Sequence, residues 1–369
     1  MTVLVAGGGL AGAAAAAGLA QAGIAVTVVE RQPSPVDKIC GEFLSHEAQT
    51  YLLQLGLDVG RLGGAEISRL RLVRGSRSVE AKLPFRGIGI SRCRLDEALL
   101  RHAAESGAQV LRGRTIRQLQ NSADLAMDVE GEGVMTAETL LLATGKHELR
   151  GARRNIGSQE DLVGFKMYFR LNAKAQAALA QYIELIFFAG GYAGLQLIED
   201  GIANLCLLVK RGRLLNCGGS WETLLEDLQI QSPYLAGQLR DSVQLLPQPL
   251  TIYRVPYGFM HRHNPADPAN LFRLGDQACV IHSFTGDGMA LALHSAALCV
   301  QTLRNGGQAA AYHRRLARDV SAQIKRANML STVLNHPATQ PAMFEISKLW
   351  PASLGIAAAL TRVPAQARI

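Results

Sequence analysis

Thr2-Val-Leu-Val-Ala-Gly7-Gly-Gly9-Leu-Ala-Gly12 opens the chain, and no charged side chain follows until Glu30. The run Thr2–Ala6 reads as a buried strand, the glycines as a turn, and the alanine-rich stretch from Leu10 as a helix that Gly23 ends. Ala25-Val-Thr-Val-Val-Glu30 is a second strand closed by an acid. Around a dinucleotide each part has a physical role. Gly7 permits the tight turn, Gly9 removes a side chain that would block a pyrophosphate, and Gly12 lets helix and sheet pack closely. The N–H groups of Leu10, Ala11 and Gly12 face the phosphates from the helix N-terminus. Glu30 lies about 20 residues beyond the glycines, where a carboxylate accepts ribose hydroxyls, and Arg31 adjoins it.

The same uncharged segment has the composition of a signal peptide or a membrane span. Against that reading, it lacks a basic start, and its glycines interrupt any long helix. With 369 residues and 48% hydrophobic content, the chain can build two core-bearing units. Its six cysteines are far apart, without C-x-x-C or zinc-type spacing, so a reducing cytoplasm and no metal site are expected. The net charge of +8 comes from dispersed Lys and Arg, and aromatic residues make up only 5%, which argues against a single-stranded nucleic acid partner. One basic group, Arg314, Arg315, Arg318, Lys325 and Arg326, falls on a predicted helix. It is either a solvated face or a weak contact surface for anionic lipid or an acidic carrier protein.

Farther along, Ser45 can cap a helix running to about Leu55, and Leu95–Ser106 has helical spacing. Strands are expected at Ala108–Arg112, Leu125–Glu130 and Thr139–Thr144. The middle of the chain changes character: Val163–Leu171, Tyr182–Ala189, Tyr192–Glu199 and Ile202–Val209 read as strands, with Gly190-Gly191 and Asp200-Gly201 as hairpin turns. A strand at Asn270–Leu274 and helices at 286–304 and 308–334 follow. The expected architecture is α/β: a Rossmann-like unit from residues 1–150 and 270–335, an inserted antiparallel sheet at 151–269, and a helical tail at 336–369.

Together, Gly7-x-Gly9-x-x-Gly12 with Glu30, Arg92-x-x-Leu95-Asp96, Ala143-Thr144-Gly145, and Gly275-Asp276 before Gly286-Asp287-Gly288-Met289 resemble the FAD-dependent oxidoreductases that include aromatic hydroxylases (group A flavin monooxygenases) and geranylgeranyl reductases. The resemblance spans roughly residues 1–305. It implies FAD at the glycine turn, Asp276 on a ribityl hydroxyl with Gly275 giving room, and Arg92 reaching the cofactor from the strand before its helix. It also implies that the backbone at Gly286–Met289 faces the pyrimidine edge of the flavin. Lys38-Ile-Cys40-Gly41-Glu42 resembles the loop that passes the flavin, and its Cys-Gly pair is similar to the reductase branch. Cys40 there faces the ring or is an inert buried thiol, and Glu42 bonds cofactor or substrate.

Thr144-Gly145-Lys146 replaces the Asp-Gly motif by which hydroxylases handle NADPH, which leaves NAD(P)H or a separate reductase as the electron donor. With only Trp221 and Trp350, the chain also lacks the tryptophan-rich signature of flavin halogenases. The resemblance places a hydrophobic substrate between flavin and sheet, with Tyr257 orienting a substrate oxygen. His261 and His263 alternate on an expected strand, a spacing that fits a proton-transfer pair or two solvated histidines. The implied activity is hydroxylation of an aromatic or polyketide-like molecule of secondary metabolism. The alternatives are alkene reduction and a non-redox cyclase or flavin-binding partner protein.

Overall fold

A computed structural model describes residues 1–121, 125–154, 157, 161–335 and 339–367. Parts of the expected inserted unit (155, 156, 158–160) and of the tail (336–338, 368, 369) lie outside the described residues. The chain opens with β1 (Thr2–Ala6), α1 (Leu10–Gln21), β2 (Ala25–Glu30), β3 (Phe43–Leu44) and α2 (His46–Gln54). A long hairpin, β4 (Ala65–Arg74) and β5 (Arg77–Gly89), precedes α3 (Arg92–Glu105) and β6 (Gln109–Arg112). Next come β7 (Ile116–Asn121), β8 (Leu125–Val129), β9 (Gly133–Ala137) and β10 (Thr139–Leu142).

The middle region holds β11 (Leu162–Arg170), α4 (Ala173–Leu179), β12 (Gln181–Phe188), β13 (Gly191–Leu197) and β14 (Ala203–Lys210). It continues through α5 (Arg211–Asn216), α6 (Trp221–Gln231), α7 (Pro233–Gln238), β15 (Val243–Gln244) and β16 (Leu250–Tyr253). The chain then runs through β17 (Leu271–Arg273), α8 (Gly288–Arg304), α9 (Ala309–Asn335), α10 (Thr339–Leu349) and α11 (Ala352–Leu360).

Three sheets organise these elements. The first is parallel, in the order β17-β10-β1-β2-β6. Parallel strands are buried on both faces, which is why β1 and β10 are almost wholly apolar. α1, α3 and α8 pack beside this sheet around Val5, Leu19, Leu99, Phe272 and Leu293. A Cβ on Gly12 would lie 1.9 Å from Gly7 O, so this close helix–strand contact admits only glycine.

The second sheet runs β15-β11-β14-β13-β12-β4-β5-β3. β12, β13 and β14 form the expected meander. Its edge is extended by β4 and β5, from within residues 1–150, with β4 parallel to β12. The second sheet is therefore not confined to residues 151–269. The pairing of residues 67–74 with 181–187 is long-range, and no local pattern announces it. One face of this sheet packs on α6 and α7 through residues such as Phe165, Trp221 and Leu228. The other gathers Leu72, Phe187, Tyr192, Leu208, Tyr257, Phe259 and Val280, with Leu334 of α9 and Phe344 of α10 packed against them. β7, β8 and β9 form a small third sheet. Among the described residues, no helix is long and apolar enough to cross a membrane.

Candidate active site between the two larger sheets

The glycine turn follows β1 directly. Gly7 has φ +102°, and a Cβ there would meet Ala143 O at 2.6 Å, so Ala143, at the end of β10, walls the turn. Gly9 is different. A Cβ built on it comes no closer than 3.6 Å to Lys38 Nζ, 3.8 Å to Arg92 Nη2 and 3.9 Å to Asp96 Oδ2. The space in front of Gly9 is thus bordered by the ends of Lys38, Arg92 and Asp96, and a Cβ there would meet nothing nearer than 3.6 Å. Glu30 accepts from the Gly8 N–H at 2.7 Å and from the Gln32 N–H at 2.9 Å, which fixes its carboxylate at the mouth of the same cleft. Arg31 lies at the outer end, 2.8 Å from the His147 ring.

Arg92 is the first residue of α3, capped by the Ser91 hydroxyl, and not part of the preceding strand as expected. The Ser91 cap starts the helix three residues before its apolar spacing begins, which is why spacing alone placed the start at Leu95. The guanidinium is held bidentate by Asp96, at 2.6 and 2.8 Å, and Lys38 Nζ reaches the same carboxylate at 2.7 Å. Burial by itself would raise the Asp96 pKa, but the two cations outweigh it and hold it below the usual carboxylate value. The cluster is a fixed positive patch facing the glycine turn.

Helix capping marks where an anionic ligand fits. α2, α3, α4 and α6 carry side-chain caps from Ser45, Ser91, Asn172 and Ser220. α1, begun by Gly9, and α8, begun by Asp287, carry none, as do α5 and α11, but of these four it is α1 and α8 that approach Gly275. The first N–H groups of these two helices therefore have no intramolecular side-chain acceptor, and helix N-termini in that state favour negative charge. Between them lies Gly275-Asp276. Gly275 has φ +56° and donates its N–H to Ser295 Oγ at 2.8 Å. The half-buried Asp276 carboxylate receives no hydrogen bond from any described side chain or backbone group and remains open to a hydroxyl. Thr144 and Gly145 line the facing turn: Thr144 Oγ1 donates to His147 O at 2.8 Å, and Gly145 O accepts from Gln277 at 2.8 Å. An elongated group with an anionic middle and a hydroxylated chain fits these residues.

Asp287 points away from the start of α8. Its buried carboxylate accepts from Arg362 at 3.2 Å and from Gln323, and lies 3.4 Å from the Ser45 hydroxyl. Burial pushes its pKa up to about 7 against the pull of Arg362. Gly288 is exposed, and a Cβ added there would have nothing within 4 Å; Met289 is buried beneath it, and Gly286 has φ +66° against the Phe43 ring. Sequence motifs located this loop but gave no sign of Arg362, which arrives from the tail.

The Cys40 loop is held from below by the second sheet. Cys40 is half-buried and Gly41 exposed, with nothing within 4 Å of a Cβ on Gly41. Glu42 is fully buried at φ +60°. Its Oε1 lies 2.5 Å from Lys166 Nζ, 2.9 Å from the Tyr168 hydroxyl and 2.7 Å from the Arg92 N–H. Lys166 also donates to Lys38 O, Asn204 to Cys40 O and Gly41 O, and Gln196 to Glu42 O. Burial raises the Glu42 pKa and the adjacent ammonium opposes it. The carboxylate is thus occupied in fixing the loop. Lys166, Tyr168, Gln196 and Asn204 were not singled out from the sequence, although a polar side chain inside an otherwise apolar buried strand was the available signal.

Tyr257 is buried, and its hydroxyl lies 3.0 Å from Ser283 Oγ; the Tyr192 hydroxyl approaches the same oxygen at 3.2 Å. Burial holds both phenols well above their ordinary pKa, so they are neutral donors. Ser283 itself is exposed. His282 stacks on the Tyr257 ring at 5.2 Å, and burial lowers its pKa to about 4. His261 and His263 do not lie on a strand; residues 254–263 run irregularly, broken by Pro256 and Gly258. Both approach Asp267, at 3.4 and 3.8 Å, and both rings meet His313 of α9. They form a structural cluster apart from Ser283, and the arrangement gives His261 no contact with the Tyr257 group. Among the described residues no group of His, Cys, Asp and Glu could hold a metal ion.

Residues 1–137 match the family model described as FAD binding domain. The menaquinone reductase of Mycobacterium tuberculosis (strain H37Rv) is 35% identical over 116 residues, 30% of this chain and 28% of that protein. The chain thus aligns with less than a third of this curated relative's length. The menaquinone reductase of Mycolicibacterium smegmatis is 23% identical over 320 residues, 83% of this chain and 76% of that protein. The fold is shared with the flavin-dependent brominase Bmp2, with a TM-score of 0.79 at 14% identity over 98% of this chain and 93% of that one. The motif resemblance and the fold thus agree on an FAD-binding domain with an α/β architecture.

Proposed function

We propose that this protein is an FAD-dependent oxidoreductase that hydroxylates a hydrophobic, oxygen-bearing aromatic molecule. The observation that carries the reading is the Tyr192–Ser283–Tyr257 hydroxyl group, set in an apolar surface directly before the Gly286–Met289 turn. Bound at the glycine turn, FAD would supply the redox chemistry. The chain's own residues do the rest. Gly9, Lys38 and Arg92 would accommodate the pyrophosphate, Glu30 the adenosine ribose and Asp276 the ribityl chain, while the N-terminus of α8 would offer N–H groups to the flavin. The two neutral phenols hold Ser283 Oγ, and the exposed Ser283 hydroxyl donates to a substrate oxygen and orients the ring. Phe187, Phe259 and Leu208, covered by Phe344, keep water out. His282, buried and stacked between the Tyr257 and Phe284 rings, packs behind the hydroxyl group.

A second reading is reduction of a carbon–carbon double bond. It is favoured by the half-buried Cys40 thiol on its clamped loop and by similarity along most of the chain to a protein named menaquinone reductase. Product mass after incubation with FAD, a nicotinamide or chemical reductant, oxygen and a panel of phenols and quinones separates the two. A gain of one oxygen supports hydroxylation, and a gain of two hydrogens supports reduction. Turnover without net consumption of reductant would point to a non-redox cyclase. A folded protein that takes up no FAD would overturn the proposal.

A further inference from the structure

We propose that the outer face of α9, α10 and α11 is a docking surface for an anionic lipid bilayer. The buried side of α9 is formed by Tyr312, Leu316, Val320 and Ile324, packed on the parallel-sheet unit. Its opposite side is exposed from Arg314 to Val333 and changes character midway. Arg314, Arg318 and Lys325 occupy the earlier turns, and Met329 and Val333 the last. α10 continues the apolar exposure with Leu349, 87% exposed, and Trp350 just beyond it, 56% exposed. α11, Ala-Ser-Leu-Gly-Ile-Ala-Ala-Ala-Leu, has no charged residue and no buried residue, which is anomalous for a helix facing water alone. The three helices contact one another, and Arg326 of α9 donates to Leu360 O at the end of α11.

Charge selects the occupant. Residues 309–360 contain six Lys or Arg and two acids, Asp319 and Glu345. Asp319 is largely buried and faces His294, Arg315 and, at 3.9 Å, Arg318, and Glu345 is paired with Arg77 at 2.6 Å, so the outer face is basic on balance beside its apolar patch. A second copy of the chain in a two-fold contact would set this basic stripe against itself. A bilayer of anionic headgroups matches both halves of the face at once, with the apolar end lying in the interface and the arginines at the headgroups. At nine and eleven residues, α11 and α10 lie on such a surface and do not span it. They are also the elements whose inner residues, Leu354, Met343 and Phe344, close the apolar surface next to Tyr192 and Tyr257. A substrate dissolved in the membrane would therefore meet the enclosing helices first.

Trp350 is a built-in reporter, because the other tryptophan, Trp221, is buried at 5% exposure. The FAD-loaded full chain is mixed with phosphatidylcholine vesicles, with and without phosphatidylglycerol, and followed by co-sedimentation and tryptophan emission. The expected result is salt-sensitive binding and a blue shift with phosphatidylglycerol vesicles only. The exposed triple variant Arg314→Gln/Arg318→Gln/Lys325→Gln should weaken partitioning on the order of a hundredfold. Leu349→Ser/Trp350→Ser, followed by sedimentation, should weaken it about tenfold or more. Retained FAD absorbance in each variant establishes that it is folded. Absence of binding and of a blue shift with phosphatidylglycerol vesicles would overturn the proposal. So would concentration-dependent dimerisation that shields Trp350 without lipid, or an acidic carrier protein that protects Trp350 where vesicles do not. Vesicle binding is read without turnover, so its failure would leave the proposed reaction standing.

Discussion

Lys166→Met tests whether the buried ion pair fixes the Cys40 loop. Both side chains of the Lys166–Glu42 pair are 0% exposed, and their charged atoms lie 2.5 Å apart. Methionine keeps most of the length and removes the charge. Glu42 would be left with the Tyr168 hydroxyl and the Arg92 N–H, and Lys38 O would lose its donor. Breaking one side of a buried pair costs about 3–5 kcal/mol, because the remaining charge is uncompensated. That loss should be read as a lower urea midpoint at neutral pH.

Its pH dependence follows from the Glu42 pKa, already raised above 4.5 by burial and opposed by Lys166. Removing the ammonium raises it further. A carboxyl with a raised folded pKa keeps its contribution below the unfolded pKa and loses it as pH rises through the folded one. The deficit of the variant relative to the parent should therefore be largest at neutral and alkaline pH and shrink as pH falls toward 4.5. The double variant Glu42→Gln/Lys166→Met removes both charges and should recover most of the loss. A deficit below about 1 kcal/mol, or one that does not change with pH, would refute the reasoning.

Gly9→Val should abolish FAD binding by filling the space before the turn, where a Cβ meets no protein atom nearer than 3.6 Å; a folded variant that stays yellow would sink the pyrophosphate assignment. Asp276→Ala should weaken FAD binding by about 1.5–3 kcal/mol, roughly ten- to a hundredfold or somewhat more in Kd, as measured by fluorescence titration. An unchanged affinity would make Asp276 a turn residue. His282 is lowered to about 4 by burial, so its neutral form favours folding above pH 6.5, and that contribution is lost as pH falls toward 4. His282→Phe should make unfolding free energy less sensitive to acid by about 3 kcal/mol across that window, checked by urea titration at several pH values; identical acid profiles would count against a buried neutral imidazole.

The glycine turn, β1, β2 and the meander were legible in the sequence because each rests on local rules, a period of two and φ > 0 at glycine, while the Gly275–Met289 region was legible through motif resemblance. Those rules act within a few residues, so they also put Glu30 at the end of β2, beside the glycine turn. They misjudged Arg92, whose position depends on the Ser91 cap, and His261 and His263, where Pro256 and Gly258 break a strand that alternation suggested. What only the tertiary structure decided is which distant groups meet. Lys166 and Glu42 are separated by 124 residues, Tyr192 and Ser283 by 91, and Asp287 and Arg362 by 75. Burial makes each of these contacts matter, because a polar group removed from water must find a partner wherever the chain brings one. No pattern of neighbours along a strand encodes that partner. The same holds for β4 joining β12, which carries residues of the first 150 into the second sheet.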